Sequence, residues 1–185
     1  MARIEMHLFA GLGGRFFDRG TRALDAMADR LSPVWDANHW QQRQWQKASD
    51  GIIARQKAYG DKPVVILIGH SYGALRCQQI ATRLRDRGIA VAYVAGIDAT
   101  ALAPGHPPMK IPDNVALIDE FWASSGFPAI ARWRDPKGSK GGMYVVRPEM
   151  KDRHKVIKVP GGHIPCASDP ITVTRIMEKV RGLVA

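Results

Sequence analysis

The chain has 185 residues, enough for one domain around one sizeable core. Hydrophobic residues make up 45% and charged residues 24%, which excludes a disordered chain. No apolar run reaches the roughly eighteen residues of a membrane-spanning helix. The opening Met1-Ala2-Arg3-Ile4-Glu5-Met6-His7 lacks the basic start, apolar stretch and cleavage site of a signal peptide, so a cytoplasmic location is expected. Net charge is +10, and from Arg132 to Lys158 there are nine Lys or Arg against three acids. That balance favours anionic partners such as nucleic acid, phospholipid, acyl-CoA or acidic glycans, or is simply a solvated basic surface. Two distant cysteines, Cys77 and Cys166, are expected to be free thiols.

Ile4 to Ala10 reads as a buried strand running into Gly11-Leu12-Gly13-Gly14. Asp18 to Leu31 reads as a helix, with Leu24, Met27, Ala28 and Leu31 on one face. Val34 to Asn38 is a second strand. Trp45 to Tyr59 is a second helix, with Trp45, Ala48, Ile52 and Tyr59 on one side and Gly60 as its stop. Pro63 to Ile68 is apolar on both faces, as a central parallel strand requires. A helix from Tyr72 to Arg87 turns Ala74, Cys77, Ala81 and Leu84 inward, and Ile89 to Ile97 is the next strand. Val115 to Ile118 is another. Phe121 to Arg153, with its Lys137-Gly138-Ser139-Lys140-Gly141-Gly142 piece, reads as a mobile loop or partial lid. Val156 to Val159 is the last strand. Asp169 and Pro170 open a final helix with Val173, Ile176, Met177, Val180 and Val184 as its apolar stripe. Strands alternating with helices predict an α/β fold, a three-layer α/β/α sandwich around a mostly parallel sheet. Residues 1–185 are taken as one domain, with 99–153 as its substrate-shaping region.

Gly69-His70-Ser71-Tyr72-Gly73 matches the G-x-S-x-G nucleophile elbow, between an apolar strand and an amphipathic helix. The sharp turn strains the serine backbone and lifts its hydroxyl above the sheet, while the helix amides favour negative charge there. A serine needs a base. In this arrangement the base follows the last strand, where Val159-Pro160-Gly161-Gly162-His163 lies. His154 precedes that strand, His106 sits in a Pro-rich loop, His7 and His39 precede the serine, and His70 points away from the elbow. The acid is Asp98, which ends the strand after the nucleophile helix, or Asp119, which ends the next strand beside Glu120. Two backbone amides, of Tyr72 and Leu12, are expected to form the oxyanion hole. Gly11-Leu12-Gly13 also begins a dinucleotide-binding pattern, but Phe16 stands where its third glycine belongs. No HExxH or CxxC pair supports a metal, and no cofactor is expected. Trp35, Trp40 and Trp45 suggest ligand stacking or plain packing.

These residues, the Gly11–Gly14 loop, the Gly69–Gly73 elbow, Asp98 and His163, resemble the α/β-hydrolase superfamily, specifically its small lipase-, esterase- and thioesterase-like members, over nearly the whole chain. The resemblance implies a trimmed sheet of about six strands and acyl transfer to water through an acyl-serine, with the acid one strand earlier than the commonest arrangement. The expected substrate is a small-molecule or lipid ester or thioester. Rival readings are an acyltransferase or amidase of the same fold, or a non-catalytic binding module that holds nucleic acid on the basic 132–158 stretch. Oligomeric state is left open.

Overall fold

The computed structural model describes residues 3–11, 18–31, 36–60, 62–100, 109–124 and 143–184. The elements run β1 (Ile4–Phe9), α1 (Asp18–Leu31), β2 (Asp36–Trp40), α2 (Trp45–Tyr59), β3 (Val64–His70), α3 (Tyr72–Arg85), β4 (Val91–Ile97), β5 (Met109–Lys110), β6 (Val115–Ala123), β7 (Tyr144–Val145), β8 (His154–Val159) and α4 (Pro170–Val184). Six strands form one wholly parallel sheet in the order β2-β1-β3-β4-β6-β8, and β5 pairs with β7 in a separate parallel ribbon.

Apolar pattern explains strand position. β1, β3 and β4 are buried along almost their whole length and take the centre. β2 and β8 are partly exposed and take the edges. Lys155 and Lys158 stand exposed on β8, where charge discourages another chain from extending the sheet. On one face α1 and α4 bury Leu24, Met27, Leu31, Ile176 and Val180 against Met6, Leu8, Ile66 and Ile68. On the other, α2 and α3 bury Ala48, Ile52, Cys77, Ile80 and Leu84 against Val65, Leu67 and Val94. This is the expected three-layer arrangement. The four inward positions of α3 and the four of α1 are all buried. No helix among the described residues is long and apolar enough to cross a membrane. Both cysteines are free and buried, and burial pushes the Cys77 thiol well above its usual range, which removes it as a nucleophile.

Four expectations are corrected. β2 runs two residues past the expected Asn38 end, because Trp40 pairs with Phe9 and its indole donates to His7 Nδ1 at 3.0 Å. Tyr59, placed on the inner side of α2, is 69% exposed and carries the Arg3 guanidinium over its ring. β6 runs on to Ala123 through two buried acids. Asp119 accepts from the Tyr93 hydroxyl at 3.1 Å and from Arg175 Nε at 2.9 Å. Glu120 accepts the Met143 and Tyr144 amides. Those contacts also anchor part of the stretch read as loop: Met143, Tyr144 and Met150 are buried, and the Tyr144 hydroxyl donates to the Ala74 carbonyl. Residues 125–142, including the Lys137–Gly142 piece, lie outside the described residues.

One more buried acid opens the sheet. Glu5 is fully buried, with Arg3 at 2.9 Å, Arg55 at 2.7 Å and His7 at 3.6 Å. Burial alone would raise its pKa, but the His7 and Arg55 side chains override that and lower it from 4.5 to about 2. Because the folded value lies below the unfolded one, the stabilisation is complete above about pH 4.5 and is lost as pH falls towards 2. Glu5→Gln should therefore be less stable at pH 7 and show a flatter loss of stability between pH 4.5 and 2. Urea midpoints across that range would check this, and curves running parallel to the wild type would contradict it.

Candidate active site

The carboxyl ends of the parallel strands share one edge, and the site is built there. β3 ends at His70, and α3 begins at Tyr72, leaving one residue to reverse the chain. Ser71 makes the turn at φ 57 and ψ −123, a conformation that strains any residue with a Cβ. The strand and helix meet so closely that a Cβ on Gly69 would lie 2.4 Å from the Gly73 carbonyl oxygen. A Cβ on Gly73 would lie 2.1 Å from the Phe9 carbonyl oxygen, so the two motif glycines are demanded by packing. The turn is held by Ser71 N–H donating to the Ile97 carbonyl at 2.8 Å and Thr100 N–H to the Ser71 carbonyl at 3.3 Å.

Ser71, Asp98 and His163 come together. β4 ends at Ile97, and Asp98 follows at φ 43, fully buried. Its Oδ1 accepts the Ala123 amide at 3.1 Å, and its Oδ2 lies 2.6 Å from His163 Nδ1. His163 reaches this edge from the end of β8 over a turn containing Gly161 at φ 88, and its Nε2 lies 2.9 Å from Ser71 Oγ. Proton counting sets the tautomer. A carboxylate only accepts, so Nδ1 carries the hydrogen and Nε2 is free to accept the serine proton. Asp119, the other candidate acid, is not at a strand end. It lies four residues before Ala123, about 13 Å below the sheet edge at 3.3 Å per residue, and Arg175 occupies it.

Two side chains missed in the sequence complete the site. The Thr100 hydroxyl is 2.9 Å from Ser71 Oγ. Since the serine proton faces His163, the Thr100 hydrogen faces Ser71 Oγ. His70, expected to point away, has its ring stacked on His163 at 4.8 Å between centroids, and its Nε2–H donates to the His163 carbonyl at 3.0 Å. Nothing in the sequence marked either residue beyond closeness to Ser71 and Asp98. His154 sits at the opposite end of β8, as expected, 3.3 Å from Glu120. His7 lies in β1 with Glu5 and Trp40, and His39 lies in β2 beside Asp25.

Tyr72 follows Ser71 as the first residue of α3, where a helix amide has no partner within the helix. A Cβ on Gly11 would lie 2.8 Å from Ser71 Cβ, so the chain after β1 passes directly over the hydroxyl. Leu12, Phe16, Trp35 and His106 lie outside the described residues. Among the described residues no group of three His, Cys, Asp or Glu side chains is arranged to hold a metal ion.

A parallel α/β sheet with a hydroxyl, an imidazole and a carboxylate in sequence at its carboxyl edge defines a class of protein. The alpha/beta hydrolase family profile matches residues 9–158, and the chain belongs to that family. Among solved structures it is similar to a hyperthermophilic esterase from the archaeon Pyrobaculum calidifontis, at 13% identity and TM-score 0.61 over 99% of this chain and 78% of that one. It is similar to a thioesterase from the prodiginine pathway of Streptomyces coelicolor, at 13% identity and TM-score 0.55 over 96% and 89%. It is also similar to an alpha/beta-superfamily hydrolase from Xanthomonas campestris pv. campestris, at 16% identity and TM-score 0.53 over 95% and 99%. At these identities the likeness is one of fold. No curated protein matches the chain.

His70 supplies a direct check of the geometry. Burial, and then the His163 charge, lower its pKa from 6.5 to about 4, so it stays neutral beside its partner ring. Its folded value lies below the unfolded one, so this contribution to stability weakens as pH falls from 6.5 towards 4. In a ring-proton NMR titration one histidine should remain neutral down to about pH 4, and His70→Gln should remove that signal. A His70 signal titrating near 6.5 would contradict the buried stack.

Proposed function

We propose that the chain is a serine hydrolase that cleaves a carboxylic ester or thioester through an acyl-Ser71 intermediate. The observation that carries this is the continuous hydrogen-bonded path from Asp98 through His163 to Ser71 Oγ, at 2.6 and 2.9 Å. His163 Nε2 takes the Ser71 proton as Oγ attacks the acyl carbonyl. The carbonyl oxygen becomes an oxyanion facing the Tyr72 amide and, on this reading, the amide of Leu12. His163 returns the proton to the leaving oxygen or sulfur, which departs and leaves Ser71 acylated. Water then gives a proton to His163 and its hydroxide to the acyl carbon, and the proton returns to Ser71 Oγ. Asp98 holds the imidazole in the tautomer this cycle needs and offsets the positive charge it gains. Thr100 keeps a hydrogen directed at Oγ through attack and departure, which favours the serine oxygen when it carries charge.

On this reading residues 99–153 shape the pocket for the acyl or head group. The net charge of +10 supports an anionic or lipid-like substrate. A cytoplasmic location, a one-domain organisation and action on a small-molecule ester belong to the same proposal.

A fluorophosphonate probe followed by peptide mapping should label Ser71, and a p-nitrophenyl ester panel with thioester counterparts should show turnover. Ser71→Ala and His163→Ala should each lower kcat by roughly 10^4-fold or more. Labelling elsewhere, or no labelling with salt-sensitive nucleic acid binding, would leave a binding module instead. Acyl products found on an acceptor other than water would make it a transferase.

The acid and Thr100 are separable by ranking. Asp98→Asn should lose about 10^3- to 10^4-fold in kcat, far more than Asp119→Asn, whose cost falls on folding through Arg175 and Tyr93. Thr100→Val should lose up to about tenfold, and Thr100→Ser should restore it. An equal effect of Val and Ser would assign Thr100 to packing.

A further inference from the structure

Arginines held by side-chain hydrogen bonds or ion pairs in this protein usually face an acid. Arg55 faces Glu5, Arg83 faces Asp50, Arg147 faces Asp113 and Arg175 faces Asp119. Arg76 is held without one. Its Nη1 donates to Gln79 Oε1 at 2.6 Å, and its Nε and Nη2 donate to Gln42 Oε1 at 3.4 and 3.3 Å. The guanidinium lies over the Tyr72 ring at 4.5 Å and beside the Trp45 ring at 5.6 Å. Among the described residues no carboxylate pairs with it. A half-buried cation immobilised only by neutral amides and aromatic faces keeps its full charge and spare donors for a further ligand.

Its place ties it to the reacting centre. Arg76 is five residues past Ser71 on α3, a rise of about 8 Å, and its side chain runs back over Tyr72 towards the helix start. Gln42 follows the carboxyl end of β2, whose Trp40 carbonyl accepts the Ala10 amide next to Gly11. Ser71, Gly11, Ala10, Trp40, Gln42 and Arg76 therefore form one continuous rim. That rim lies on the β1–β2 flank, across Ser71 from the side on which His163 arrives from β8. A substrate whose leaving group meets His163 extends its other end towards Arg76. Both Arg76 and the amino end of α3 place positive potential there.

We infer that Arg76, positioned by Gln42, Gln79, Tyr72 and Trp45, is the subsite that recognises an anionic oxygen group on the acyl side of the substrate, a carboxylate or phosphate. The planar fork suits either group as a bidentate partner. This inference rests on the serine hydrolase reading and names the substrate class within it. The site gives the two Trp residues a role the sequence left undecided: Trp40 fixes the rim through its backbone, and Trp45 walls the cation.

The test compares charged and neutral substrates in matched pairs. One pair is the p-nitrophenyl monoester of adipic acid against p-nitrophenyl hexanoate, which places the anion on the acyl side. The other is butyryl-CoA against the butyryl thioester of N-acetylcysteamine, which places it on the leaving group. With Arg76 across Ser71 from His163, the wild type should favour the adipate monoester over the hexanoate in kcat/KM, whereas the CoA pair, whose anion leaves on the His163 side, should show no preference that depends on Arg76. In Arg76→Met the charged-to-neutral ratio should fall by roughly ten- to a hundredfold, through KM more than kcat, and Arg76→Lys should fall between. An adipate-to-hexanoate ratio unchanged in Arg76→Met, no preference for the adipate monoester in the wild type, or an Arg76-dependent preference confined to the CoA pair would overturn the subsite. Turnover lost in Ser71→Ala but with that ratio unchanged defeats this inference alone. Turnover that survives Ser71→Ala defeats the hydrolase reading with it.

Discussion

At Ser71 the chain reverses from strand to helix within a single residue, and every functional contact at the sheet edge depends on that reversal. A φ of 57 on a residue with a side chain costs on the order of 1–3 kcal/mol. It persists because both flanking elements are pinned. β3 is buried from Val65 onwards, and α3 sinks Cys77, Ile80, Ala81 and Leu84 into the core. Each large apolar side chain so buried contributes roughly 1.5–3 kcal/mol, so two or three of them outweigh the strain. Gly69 and Gly73 then let strand and helix approach at distances no Cβ tolerates, and Gly11 brings the β1 loop over the hydroxyl. Relaxing the turn would break the core before it freed the serine.

Strand register decides which carboxylate can serve the imidazole. Asp98 N–H donates to the Phe121 carbonyl at 2.7 Å, which continues the β4–β6 ladder one residue past β4. The same ladder carries Asp98 Oδ1 to the Ala123 amide, level with Val159 at the end of β8. From there the turn at Gly161 and Gly162 needs only to cross the end of β6. Asp119 and Glu120 belong to the same strand end in sequence but lie inside the sheet, on opposite faces, each consumed by its own partners. Buried acids in a parallel sheet are tolerated here because each meets a cation, a hydroxyl or amide donors.

The elements legible from sequence were those whose pattern has one physical cause. β3, the elbow, α3 and the stripe of α1 follow from burial on two faces or one, and the motif glycines from a close approach. The boundaries that failed lie where burial is partial or polar. β2 is an edge strand of Asp36-Ala37-Asn38-His39-Trp40, with too little apolar content to show itself. β6 hid behind Asp119 and Glu120, because charge inside a strand reads as an ending until its partners, some of them 56 residues away, are known. Ser71, Asp98 and His163 were readable because each sits at a recognisable strand end. Thr100, His70 and Arg76 were not. Their placement comes from where loops and rotamers land in space, and no local spacing encodes that.

The proposed acyl transfer requires positive charge to appear on the His163 ring and nowhere beside it. His163 is 14% exposed, so little water would screen a charge gained there in the proposed cycle, and the buried Asp98 carboxylate at 2.6 Å is placed to compensate it. His70 lies against the same ring. Were it protonated in the working range, two cations would stack face to face and the base would lose its proton affinity. Burial, by lowering His70 to about pH 4, makes it a neutral support instead: flat, hydrogen-bonded to the His163 backbone, and unable to compete for the proton. Arg76, the anion subsite inferred above, lies on the other flank of the serine, beyond Tyr72, where its field would reach an incoming anion without raising the cost of an imidazolium at His163.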